Sequence, residues 1–193
     1  MLRRLYDRTM ALAAGKQAEP ALAGVAFVES SFFPIPPDLL LIPMVMAERA
    51  KAWRYAAVAT VSSVIGGLFG YLIGAFLFEQ IALPLLELYG YDHRFEEFKT
   101  LYNDWGAWIV LFAGLTPFPY KVITIASGLT GLNVIVFLIA SIAARGGRFF
   151  IVSALLYWVG PPIRDFIEKR LGLVFTAFMV LLIGGFVVVK FIV

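Results

Sequence analysis

Five long apolar segments alternate with short polar ones along the chain. Each approaches or exceeds the roughly 20 residues that an α-helix needs to cross about 30 Å of hydrocarbon. The polar segments between them are too short to form a separate soluble domain. The pattern therefore predicts a single membrane domain over residues 1–193, with apolar segments at 21–47, 55–78, 106–132, 134–160 and 172–193.

Prolines interrupt two of these segments near their centres. Each proline removes a backbone hydrogen-bond donor, so a continuous helix cannot pass through a cluster of them. Non-helical backbone at membrane depth is tolerated only where protein or a water-filled cavity surrounds it, as in re-entrant hairpins. We therefore expect 21–47 and 106–132 to be re-entrant hairpins, broken at Pro34, Pro36, Pro37, Pro117 and Pro119.

The distribution of Lys and Arg predicts the orientation. Residues 1–20 contain four of them, segments 48–54 and 161–171 contain three each, and the acidic loop 79–105 contains two. Lys and Arg collect in cytoplasmic segments of membrane proteins. If segment 21–47 returns to the face it entered, all three basic segments are cytoplasmic and the acidic loop is outside. We thus expect a cytoplasmic N-terminus, an amphipathic lead-in over 1–20, and spanning helices at 55–78, 134–160 and 172–193.

A proline motif occurs once in each interrupted segment. Residues 34–38 read PIPPD and residues 117–121 read PFPYK, and each motif precedes a short linker and a spanning segment. Because the two copies would enter from opposite faces, they predict an inverted-topology repeat whose broken segments meet near the bilayer midplane. The predicted fold is an all-α polytopic bundle of two opposed re-entrant hairpins and three spanning helices.

Ionisable residues stand out in so apolar a chain. Its composition is 61% hydrophobic and 15% charged, far from the roughly 25% charged usage of soluble domains. A charge at the bilayer centre costs about 2.5–3.5 kcal/mol on insertion scales, so such residues by default mark a functional pathway. The repeat puts Asp38 and Lys121 in equivalent positions, which predicts an ion pair or a pair of gates. The charged residues within apolar segments are Glu29, Asp38, Lys121, Arg145 and Arg148.

Two interpretations of these charges are open. In one, the acids only neutralise the bases, which explains their survival in lipid but not the broken helices around them. In the other, Lys121, Arg145 and Arg148 bind an anionic headgroup, because guanidinium forks suit phosphate oxygens. Glu29 and Asp38 would then bind and release protons, and the half-helices that follow Pro37 and Pro119 would add backbone donors.

Several other function classes are excluded or disfavoured. The net charge of +3 is explained by topology, so no nucleic-acid partner is expected. The chain has no cysteine and its one histidine, His93, lies in the acidic loop, so we expect no metal site and no cofactor. No nucleophile has a base beside it, which argues against an enzyme. Gly66, Gly70 and Gly74 recur at the spacing of a helix-packing face.

Three motifs together resemble the DedA family, also called the VTT or SNARE-associated family, and within it the short YqaA-like branch. They are Glu29 with PIPPD at 34–38, the glycine-rich GGLFGYLIG at 66–74, and GLTPFPYK at 114–121 followed by Gly128. The likeness covers roughly residues 20–160.

The resemblance implies a bacterial inner-membrane protein with two opposed re-entrant hairpins. It implies movement of lipid carriers such as undecaprenyl phosphate or phospholipids, with phenotypes that depend on the proton-motive force. The family's acidic pair corresponds to Glu29 and Asp38. Its basic pair matches only in part, because Lys121 stands where an arginine is usual and no arginine lies between Trp108 and Lys121. Arg145 and Arg148 are hypothesised to compensate.

The sequence thus favours a transporter for a phosphate-bearing lipid, a flippase or scramblase that is either proton-coupled or passive. The partners expected are membrane lipids, with an anionic headgroup as substrate, and a homo-oligomer is compatible with the sequence. Two alternatives stay open: a proton-coupled transporter of a small ion or solute, and a membrane scaffold that transports nothing.

Overall fold

The computed structural model describes residues 17–33, 36–78, 92–116 and 118–169, together with positions 15, 80, 83, 84 and 86. Every regular element in these residues is helical, so the all-α prediction is confirmed for them. Neither residues 1–14 nor the expected last span, 172–193, is among the described residues. The elements are α1 (Ala18–Ser31), α2 (Asp38–Ala47), a 3₁₀ turn (Arg49–Lys51), α3 (Ala52–Leu77), α4 (Asp92–Leu115), α5 (Tyr120–Leu129) and α6 (Val134–Lys169).

Both proline-rich segments separate a pair of helices. The amides of Phe32 and Phe33 both donate to Val28 O, which ends α1, and α2 begins directly after Pro37. The second break is shorter and lies between the end of α4 at Leu115 and the start of α5 after Pro119. Proline fits at these starts because the first turn of a helix has no intrahelical partner for its amides. Pro34 and Pro117 lie outside the described residues.

The turn between α5 and α6 has well-defined caps. Gly131 has a φ of 67°, and the amides of Leu132 and Gly131 donate to Ser127 O and Gly128 O. This is the Schellman pattern, in which glycine supplies the left-handed conformation. Asn133 Oδ1 then accepts from the amides of Ile135 and Val136, at 2.9 and 3.2 Å, and so caps α6.

Two helices are long and apolar enough to cross a membrane among the described residues: Arg49–Leu77 and Val134–Gly160. The structure differs from the sequence prediction in two places. Residues 92–105, expected in the acidic loop, form the first turns of α4, and 161–169, expected in a basic segment, continue α6.

The two long helices, α3 and α6, pack against each other at the centre. The described helices form two halves, α1–α3 and α4–α6. Each long helix packs against the first helix of its own half, α1 on α3 and α4 on α6. It also packs against the second helix of the other half, α5 on α3 and α2 on α6. The halves therefore match in element order and in packing partners. Two apolar clusters form, one around Leu22, Met44 and Phe149 and the other around Tyr71, Val110 and Phe137. Arg145 of α6 contacts a ring of each cluster, Phe149 in the first and Tyr120 in the second.

Candidate functional site

One turn of α6 carries two arginines that contact all four helix ends at the two breaks. Arg145 bonds Glu29 near the end of α1 and lies over the ring of Tyr120 at the start of α5. Arg148 bonds Asp38 at the start of α2 and the carbonyl of Thr116 just after α4. Since residues three apart on a helix share a face, this turn joins both proline-broken helices, α1–α2 and α4–α5, to α6.

Arg145 is enclosed, with only 1% of its side chain exposed. Its Nη2 donates to Glu29 Oε2 at 2.7 Å and its Nε donates to Ser63 Oγ at 2.6 Å. The guanidinium carbon lies 4.9 Å from the ring centre of Tyr120 and 4.7 Å from that of Phe149. A desolvated charge needs such pairing, and the ring faces add cation–π attraction.

Two hydroxyls complete a ring with this ion pair. Ser30 Oγ donates to Glu29 Oε2 at 3.2 Å and lies 2.6 Å from Ser63 Oγ. Glu29, Ser30, Ser63 and Arg145 therefore form a closed circuit of hydrogen bonds that involves α1, α3 and α6. Ser31 adds a contact between α1 and α3, because its Oγ lies 2.9 Å from Gly66 O.

Arg148 lies in a more open environment than Arg145. Its Nη2 donates to Asp38 Oδ2 at 2.5 Å and its Nη1 donates to Thr116 O at 2.7 Å. The side chains of Arg148 and Asp38 are each 20% exposed. Asp38 Oδ1 is buried and accepts no hydrogen bond among the described residues. The backbone offers this oxygen little, because the amides of Leu39 and Leu40 donate to the carbonyls of Pro36 and Pro37, and prolines have no N–H.

A hydrogen bond also joins the two broken helices directly. Thr124 Oγ1, on α5, lies 3.0 Å from Ser30 O at the end of α1 and 2.9 Å from Lys121 O. Gly70 of α3 lies beside this contact, where a Cβ would meet both Thr124 and Ser30. Gly66 and Gly74 similarly leave room for the backbones of Phe27 on α1 and Ile125 on α5.

Lys121 lies in the first turn of α5 and is partly buried. Within the described part of the chain its ammonium has no hydrogen bond or ion pair. Asp38 is paired with Arg148, so the expected ion pair between Asp38 and Lys121 is not the one that forms. His93 lies in the first turn of α4 and is exposed. No group of three His, Cys, Asp or Glu side chains is placed for a metal in the described ranges.

The sequence indicated all five charged residues but missed the groups that connect them. Ser30, Ser63 and Thr124 gave little signal, because small hydroxyl residues are common wherever membrane helices pack. The position of Ser30 beside Glu29 was the one available hint. The Thr116 carbonyl gave none beyond its place next to a proline break.

Comparison with known proteins shows the family. The VTT domain model matches residues 35–158, which extend from within the first break to within α6 and include all of α3. A protein of Haemophilus influenzae described as uncharacterized is 32% identical over 186 residues, covering 96% of each chain. A similarly described protein of Histophilus somni is 33% identical over 186 residues, covering 96% of this chain and 97% of its own. No solved structure matches. The resemblance found in the proline motifs is thus confirmed, and the chain belongs to the VTT domain (DedA) family of membrane proteins.

Proposed function

We propose that the protein translocates a phosphate-bearing lipid, such as undecaprenyl phosphate or a phospholipid, across the bacterial inner membrane, and that it belongs to the YqaA-like branch of its family. In this proposal α3 and α6 span the bilayer and the two broken helices enter from opposite faces. The N-terminus is then cytoplasmic, as the distribution of basic residues favours.

One observation carries the proposal: Arg148 joins the two breaks through contacts that a phosphate can replace. Its guanidinium holds a carboxylate oxygen of Asp38 and the carbonyl of Thr116, and phosphate oxygens suit the same planar donors. The partial exposure of the pair gives a headgroup access without unfolding the bundle. Lys121, with no acid partner in the described residues, supplies a second cation.

Charge favours coupling to protons through the acidic pair, Glu29 and Asp38. With every group ionised, the three bases and two acids of the site leave one positive charge. A phosphomonoester carries a charge of about −1.5 to −2 at pH 7. Uptake of one proton by a carboxylate therefore neutralises a site loaded with a fully ionised monoester such as undecaprenyl phosphate, which lowers the cost of carrying it through hydrocarbon.

The test is leaflet transfer of labelled lipids in vesicles that contain the purified protein. We expect undecaprenyl phosphate or phosphatidylglycerol to cross faster than a neutral glycolipid with a comparable chain. Equal rates for all headgroups would contradict a role for the basic residues. Solute-dependent proton flux without lipid transfer would instead support the solute transporter.

A further inference from the structure

We infer that the two buried carboxylates have different roles: Glu29 is a positioning residue that stays ionised, and Asp38 is the group that takes up a proton when a phosphate replaces it on Arg148. This inference rests on the proposed function for one premise, that a phosphate binds Arg148. The assignment of the proton to Asp38 rests on the hydrogen bonds themselves.

The ring around Glu29 has only one consistent direction. Arg145 Nε can only donate, so Ser63 Oγ accepts from it and gives its own hydrogen to Ser30 Oγ. Ser30 in turn donates to Glu29 Oε2, which also accepts from Arg145 Nη2. A protonated Glu29 Oε2 would donate to Ser30 Oγ, and Ser30 would then donate to Ser63 Oγ instead of accepting from it. The hydroxyl hydrogen of Ser63 would be left without an acceptor in the ring. A proton on either oxygen would leave the enclosed Arg145 charge uncompensated.

Asp38, in contrast to Glu29, belongs to no ring of hydrogen bonds among the described residues. A single donor, Arg148, holds one of its oxygens, and the other is buried without a hydrogen bond in the described part of the chain. A buried oxygen without a donor has lost its hydration and gained no hydrogen bond in return. Once Arg148 turns to another anion, no hydrogen-bond donor in the described structure remains on Asp38.

The charged neighbours of Asp38 come from few elements. α6 contributes Arg148 and Arg145, and α1 contributes Glu29, which the ring occupies. The sole charged residue of α3 is Arg54, paired with Glu19. The 3₁₀ turn follows the far end of α2. That end lies about 15 Å from Asp38, because each of the ten residues of α2 adds about 1.5 Å along the helix axis. The charges of the turn are Arg49 and Lys51.

Phosphate binding and protonation are therefore linked at this position. The phosphate displaces the Asp38 carboxylate from Arg148, and an aqueous proton converts –COO⁻ to –COOH without making or breaking any other bond. Because each event favours the other, uptake is favoured at lower pH. The direction of net transport then follows the proton gradient.

The test compares Asp38→Asn with Glu29→Gln in the full-length protein in nanodiscs of phosphatidylglycerol and phosphatidylcholine. Infrared difference spectra on acidification report protonated carboxyl groups. Asp38→Asn should remove a carboxyl band that Glu29→Gln retains, with the exposed Asp104→Asn as control. If Glu29→Gln does not fold, Ser63→Ala opens the ring without changing charge or the pair of Arg145 with Glu29, and it should retain the carboxyl band that Asp38→Asn removes.

Transfer of phosphatidylglycerol, a diester whose charge is constant near neutral pH, supplies the second readout. The wild type should accelerate on acidification by up to about tenfold per pH unit for one coupled proton. Asp38→Asn should abolish that dependence, while Glu29→Gln or Ser63→Ala should keep it at lower rate. A band lost with Glu29→Gln and retained with Asp38→Asn would overturn the assignment. Absent lipid transfer with the expected spectra would contradict only the proposed function.

Discussion

Arg145 and Arg148 differ in their environments although they share one helical turn. Arg145 is saturated by Glu29 and Ser63 between two aromatic rings, whereas Arg148 is partly exposed and held by one carboxylate oxygen and one carbonyl. A fully enclosed cation cannot meet a headgroup without losing its partners. At the scale of residues, therefore, we propose that the first arginine serves the structure and the second binds the ligand.

The Arg145→Met substitution tests the first of these roles. Removing one member of a buried ion pair costs about 3–5 kcal/mol, because the other charge stays buried without its partner, whereas replacing both with apolar residues is often neutral. Arg145→Met should therefore lower the unfolding temperature in detergent sharply, and Glu29→Met with Arg145→Met should restore most of it. A single variant as stable as the wild type would contradict the pairing.

For Lys121 we expect the reverse of Arg145: its removal should weaken lipid binding without lowering stability. Its ammonium has no hydrogen bond or ion pair in the described residues, so Lys121→Ala should leave thermal stability unchanged. Affinity for phosphatidylglycerol should fall about tenfold, which corresponds to roughly 1.4 kcal/mol of headgroup interaction. The matched control is Lys99→Ala, which removes the exposed pair with Glu96 and should change neither quantity. Unchanged lipid affinity in Lys121→Ala would remove this residue from the site.

The five charged residues were predictable because a charge in an apolar segment is conspicuous. The equivalence of the two motifs predicted that Asp38 and Lys121 form either an ion pair or a pair of gates. The actual partner, Arg148, is fixed by how α6 is rotated against the start of α2, and neither motif contains that information.

At the scale of elements, glycines set how closely the broken helices approach α3. A Cβ on Gly128 of α5 would overlap Tyr71 O of α3, and one on Gly74 would overlap Ile125 O of α5. Both obstacles are backbone atoms, so a side-chain rotation cannot relieve them. The two helices must separate to accept even a methyl group.

Gly128→Ala and Gly24→Ala form a matched pair within helices. Overpacking typically costs about 1–3 kcal/mol, so Gly128→Ala should lower the thermal unfolding temperature. Gly24 has nothing within 4 Å of its would-be Cβ, and Gly24→Ala should be neutral or gain up to about 1 kcal/mol of helix propensity. Similar unfolding temperatures for the two variants would refute the close contact between α3 and α5.

The two proline interruptions were predictable from the sequence, whereas the helical structure of residues 92–105 at the start of α4 was not. Clustered prolines interrupt a helix wherever they occur, but charged residues at 92–105 made that segment read as a loop. It is helical because aromatic residues on one face find partners. Phe95 lies 5.1 Å from Phe78 between ring centres, and Tyr102 hydrogen-bonds Ser127 Oγ at 3.0 Å. Such partners are distant in sequence.

At the scale of the whole molecule, matching halves carry different chemistry. α3 presents glycines and serines where α1 and α5 approach, and α6 presents two arginines where both breaks meet. The repeated motifs predicted the equivalence of the halves. They could not predict the asymmetry, which arises from residues outside the motifs.

Labelling of single cysteines tests the topology without background, because the chain contains none. We expect Gly15→Cys and Ala50→Cys to react from the cytoplasmic side and Glu97→Cys from the outside, since the first broken helix returns to the face it enters. All three positions are exposed. Opposite sidedness for positions 15 and 50 would mean that this segment crosses the membrane, and the re-entrant arrangement would be wrong.

The most direct test of the account is leaflet transfer of phosphatidylglycerol by Arg148→Ala beside Arg54→Ala, which removes an arginine from the exposed pair with Glu19. We expect Arg148→Ala to slow transfer at least about tenfold and Arg54→Ala to match the wild type. Wild-type transfer by folded Arg148→Ala would contradict the claim that a phosphate headgroup passes through the contact between the two breaks.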